Sequence, residues 1–69
     1  MNNYPEGDAR NRTARIREQL NDVTEQCRDT VGEVSDQKAQ ALLETAAEVL
    51  IGLGTAFEHY EEGAEEAWR

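Results

Sequence analysis

The chain has one histidine, His59, with Glu62 three residues and Glu66 seven residues further on. On a helix these spacings share one face. Carboxylate-bridged dimetal bundles use a Glu-x-x-His pair on one helix and glutamates from its neighbours. Here the order is reversed, because Ala56 stands three residues before the histidine. A symmetric pair of chains would still double His59, Glu62 and Glu66 into a cluster able to hold iron or another divalent metal. A plainer reading competes with it. His59 sits at the rim of an apolar stripe, and a chain with 15 acidic residues produces such pairs freely. A rim histidine bonded to glutamate or water needs no metal, and no other cofactor is expected.

The other reactive groups point away from catalysis. Cys27 is the only cysteine, so no bridge forms within the chain. A lone thiol suits a reducing compartment, and a cytoplasmic location is expected. Cys27 lies at helical spacing among apolar residues, where a small core side chain is the ordinary role. There is no Gly-rich phosphate loop, no zinc-like cysteine pair and no nucleophile–histidine–acid set, so an enzyme is not expected.

Arg10, Arg12, Arg15 and Arg17 form a basic cluster that suggests a small nucleic-acid-contacting regulator. No aromatic residue is interleaved for base stacking. The net charge of −8 also repels phosphate backbones, so nucleic acid is the weaker reading. The start, MNNYPEGDARNR, lacks the apolar segment of a secretory signal. The apolar run VLIGLG is far short of the ~18 residues of a membrane span. The acidic polar face of the second helix also disfavours a membrane surface.

The elements that position these residues are two helices. Ala9, Thr13, Ile16, Leu20, Val23, Cys27, Thr30 and Val34 step by four and three, a heptad seam. A second seam runs Ala39, Leu42, Ala46, Val49, Leu53, Ala56, Tyr60, Gly63, Ala67. The phase breaks between Val34 and Ala39, where Gly32, Ser35 and Asp36 are residues that end and begin helices. The spacing predicts a flexible arm over 1–7, helix 1 over about 8–33, a turn over about 34–37 and helix 2 over about 36–68. One continuous helix with a stutter is the rival. Asp8 is the expected first N-cap. An antiparallel hairpin places the arginines of helix 1 beside Glu58, Glu61, Glu62, Glu65 and Glu66, where they pair. Tyr4 or Pro5 is then expected near Trp68.

Beside its seam, helix 2 carries a second apolar line of Leu43, Leu50, Phe57 and Ala64. The combined stripe is wider than one partner helix covers. We therefore expect an all-α hairpin that self-associates, as a four-helix bundle made of two hairpins or as a larger helical oligomer. The expected interface is Leu42, Leu43, Ala46, Val49, Leu50, Leu53, Phe57 and Tyr60, with helix 2 at its centre. Ile51 falls outside the stripe. Gly52 and Gly54 suggest close helix approach, or else a hinge. The expected function is a non-enzymatic assembly or protein-interaction module whose partner is the chain itself, or else another protein.

Overall fold

The computed structural model describes residues 4–63. Two helices, α1 (Ala9–Val31) and α2 (Gln37–Gly63), pack against each other as a hairpin. The rival continuous helix is excluded, and the break falls where the heptad phase breaks. The expected end of helix 2, with Glu65, Glu66 and Trp68, lies outside the described residues.

Each helix starts at an aspartate. The side chain of Asp8 accepts from the backbone N–H of Arg10 at 2.9 Å, which satisfies a donor that has no partner within the helix. The Arg10 guanidinium folds back onto the same carboxylate at 2.7 and 3.0 Å and lies 4.4 Å over the Tyr4 ring. Asn11 accepts from the Tyr4 N–H and donates to the Tyr4 and Pro5 carbonyls. Residues 4–8 are thereby tied to the first turn of α1. Their own turn is closed by the Asp8 N–H on the Pro5 carbonyl, with Gly7 at φ +89° supplying a backbone region that side chains disfavour. Asp36 caps α2 by accepting from the Lys38 N–H at 2.8 Å. The Gln40 side chain donates to the carbonyls of Val34 at 2.8 Å and Val31 at 3.5 Å, holding the turn onto α2.

The rotation of the two helices about their axes differs from the sequence-based expectation. Leu43, Leu50 and Phe57, the expected outer line, are half-buried toward α1 together with the buried Ala47, Gly54 and Glu61. Leu42, Val49 and Leu53, expected in the intrachain seam, are exposed, Leu42 at 68% and Val49 at 56%. On α1 the buried residues are Ala14 and Thr24, while Ile16 and Val23 of the expected seam are exposed. The cause is size. Helices approach closely where they present small side chains, and the buried uncharged residues are Ala14 and Thr24 on α1 and Ala47 and Gly54 on α2. Thr24 hides its hydroxyl by donating to the Leu20 carbonyl at 2.7 Å.

The two glycines separate on the same ground. α2 runs unbroken through both. Gly54 lies under α1, where an added Cβ would stand 3.9 Å from the Asn21 amide oxygen, an ordinary contact. Gly52 faces open space. Ile51 lines the same hollow as Gly54, and Gly52 lies apart from both.

Two outcomes follow for stability. Gly52→Ala and Gly54→Ala each stabilise the hairpin by about 0.5–1 kcal/mol in thermal unfolding, because helix propensity rises and neither site is too tight. The Asp8 carboxyl is held down at about 2, first by the Arg10 side chain and then by the Arg10 N–H. Its folded value lies below its unfolded one. Its stabilisation is therefore present above about pH 4 and is lost as pH falls toward 2. Asp8→Ala should flatten that part of the pH–stability curve measured by circular dichroism.

Candidate interaction face

The hairpin is one layer thick, measuring 46 × 21 × 12 Å, and its two broad sides differ. Thr13, Ala56, Phe57 and Tyr60 line a wholly apolar hollow of about 280 Å³. This places Thr13 and the Ala56–Tyr60 turn on one side, here called the front. On the back, one hollow is lined by Arg17, Asn21, Ile51, Gly54, Thr55 and Glu58, and another by Arg28, Val31, Glu44, Ala47 and Glu48.

Heptad spacing assigns the remaining positions. From Thr13 the front of α1 continues through Ile16, Leu20, Val23 and Cys27. From Tyr60 and Ala56 the front of α2 continues through Leu53, Val49, Ala46, Leu42 and Ala39. Ile16, Val23, Leu42, Val49 and Leu53 are all exposed large apolar residues. The outer edges of this face carry Arg12, Gln19 and Gln26 on α1 and Lys38, Thr45, Gly52 and His59 on α2. These heptad lines contain no carboxylate within the two helices. The acids cluster elsewhere: Glu18, Asp22, Glu25 and Asp29 on α1, and Glu44, Glu48, Glu58 and Glu62 on α2, all exposed. In a chain of net charge −8 this is strong segregation.

One acid is buried. Glu61 is 3% exposed and receives Arg17 from the other helix, through Nη2 at 2.8 Å and Nε at 3.2 and 3.3 Å to its two oxygens. The bond to Glu61, with Glu58 nearby, holds the Arg17 guanidinium above its already high range. The pair ties the terminal end of the hairpin and helps fix the helix rotation. Sequence reasoning placed arginines opposite glutamates but did not single out Glu61. The available signal was its position on the small-residue line of Ala47 and Gly54.

The other sequence-derived candidates are dispersed. His59 and Glu62 are exposed on α2, and Glu66 lies outside the described residues. Among the described residues no three His, Cys, Asp or Glu side chains form a group that could hold a metal. Cys27 is half-buried at the front of the seam. Of the basic cluster, Arg10 is engaged by Asp8 and Tyr4 and Arg17 by Glu61, while Arg12 and Arg15 are exposed. Among the described residues, no helix is long and apolar enough to cross a membrane. Of the expected interface, Leu42, Val49 and Leu53 are fully on the front, and Ala46 and Tyr60 are half-buried at its inner edge. Leu43, Leu50 and Phe57 are half-buried toward α1.

No family model matches the chain, and no curated protein or solved structure is significantly similar to it. The functional reading therefore rests on the geometry of this face.

Removing Arg17 would leave a buried carboxylate without its partner. Arg17→Ala should cost about 1–3 kcal/mol in urea unfolding. Arg17→Ala with Glu61→Ala should recover part of that loss, because no orphaned charge remains.

Proposed function

We propose that the chain is a non-enzymatic, self-associating helical hairpin that serves as a small assembly module, with the front face as its contact surface. The observation that carries this reading is that, among the described residues, exposed apolar side chains coincide with missing carboxylates on one side of a strongly acidic molecule. Exposed Ile, Val and Leu gathered on one face are the mark of an interaction site rather than of a free surface.

The interior of a single hairpin supports the same reading. Among the described residues the buried apolar side chains are Ala14 and Ala47, and no large side chain is fully buried. A chain of this length ordinarily needs a metal, a disulfide or association to hold its fold. Association through the front adds Leu20, Val23, Val49 and Leu53 to a common core. It forms a four-helix bundle and keeps the exposed acids described on α1 and α2 in water. The broad face is of the order of the ~800 Å² that each partner contributes to a stable interface. In this reading both helices supply the interface, with Leu42, Val49 and Leu53 exposed on it and Leu43, Leu50 and Phe57 at its floor.

Val49 offers a direct test because it is exposed in the single hairpin and central on the face. Val49→Asp should convert a dimer into a monomer in sedimentation velocity at low micromolar concentration, with reduced helicity and stability. Asp substituted for exposed Thr55 on the back should leave the dimer intact. A wild-type protein that sediments as a folded monomer would sink the proposal.

A further inference from the structure

We infer that the two copies pair in opposite directions, the turn of one against the termini of the other, with Leu42 of each copy seated in the Thr13–Ala56–Phe57–Tyr60 hollow of its mate. This rests on the front-to-front reading above and adds its register.

Bringing two identical front faces together with two-fold symmetry allows two arrangements. In the aligned one, the symmetry axis runs along the hairpin and α1 of one copy covers α2 of the other. In the opposed one, the axis runs across it, so that α2 covers α2 and α1 covers α1. The levels of the side chains are set by the intrachain contacts: Arg17 on Glu61, Asn21 beside Gly54, and Gln40 on Val31.

These levels discriminate by size. Aligned pairing sets Leu20 and Val23 of one copy over Leu53 and Val49 of the other, large on large. It also sets Cys27 over Ala46, small on small, and stacks Leu42 on Thr30. Such layers crowd at mid-length and leave space near the turn, and protein cores tolerate neither. Opposed pairing with the axis at the middle of α2, near Leu50, reverses this. Leu53 then meets Ala46, Tyr60 meets Ala39, and Val23 meets Cys27. In these pairs a large side chain lies over a small one, as in packed layers that interdigitate, while Val49 meets its own copy at the axis and Ile16 lies level with Val34.

The ends supply the second argument. Among the described residues Leu42 is the most exposed large apolar side chain, and it stands on the front near the turn. The wholly apolar hollow of about 280 Å³ lies on the same face near the termini. Only the opposed arrangement brings projection and hollow together, and symmetry makes the contact twice. The edges agree, since Thr45 then lies against Gly52, whose missing side chain leaves room.

Mixed dimers of the wild-type protein, one copy carbon-13 labelled and one not, test this without a mutation. Isotope-filtered NOE spectra should show Leu42 methyl protons near the Phe57 and Tyr60 rings of the other copy. Within one chain Leu42 is some 27 Å along the helix from Tyr60, so the signal can arise only between copies. NOEs from Leu42 to Thr30 of the other copy, with none to those rings, would overturn the inference. A second readout places a nitroxide at Ser35→Cys in the turn, in a Cys27→Ala background. Opposed copies put the two labels apart by nearly the 46 Å length of the hairpin. Aligned copies put them within about 20 Å, two helix diameters, and a dimer with that short distance would overturn the register while keeping self-association. A monomer in sedimentation would overturn both readings.

Discussion

The buried uncharged residues of the two packed helices are all small, Ala14 and Thr24 on α1 and Ala47 and Gly54 on α2, and side chains of this kind let backbones approach closely while burying little apolar area. The remaining features of the hairpin follow from that contact. Leu43, Leu50 and Phe57 are half-buried beside these small residues, while Ile16, Val23, Leu42, Val49 and Leu53 stay exposed on one side of them. Polar bonds fix the seam at its ends, with Arg17 on Glu61 beside the termini and Gln40 on Val31 and Val34 beside the turn. Hydrophobic burial is the main favourable term in folding. A hairpin that leaves Ile16, Val23, Leu42, Val49 and Leu53 in water gains little of that term from them.

Local features were legible in the residues alone. Asp8 and Asp36 act within two residues of their own positions, and the phase break between Val34 and Ala39 marks the turn without reference to any partner. The three-and-four spacing correctly implied helices. Rotation was harder to read. On α2 three adjacent heptad lines are apolar or small, and hydrophobicity alone ranks the Leu42–Val49 line as the best seam. The structure instead places Ala47 and Gly54 at the centre, because backbone approach is governed by side-chain size. Glu61 hides the same answer, since a glutamate looks like surface until an arginine from the other helix reaches it. The wide stripe on α2 nevertheless showed that one partner helix would not cover it.

The candidate chemistry separated along the same lines. His59 and Glu62 have the spacing of a ligand pair, yet both sit in solvent on a helix whose described neighbours bring no third ligand. The arginines resembled a phosphate-binding cluster in sequence. In space Arg10 closes a helix cap and Arg17 closes the hairpin. A run of like residues along a helix is distributed around its circumference, so a cluster in the chain need not be a cluster on the surface.

Segregated charge has a consequence for how two such molecules meet. With the described carboxylates of α1 and α2 away from the front, the hairpin carries an electric moment directed across its 12 Å thickness. In the proposed front-to-front pairing, two copies of net charge −8 would repel at long range, but the torque between them would turn their acidic sides outward as they close. The barrier is therefore one of approach rather than of contact. Dissolved salt lowers it within a screening length of about 8–10 Å at ordinary ionic strength, while the apolar contact beneath is left largely untouched. Ionic strength would thus govern the rate of pairing more than its tightness.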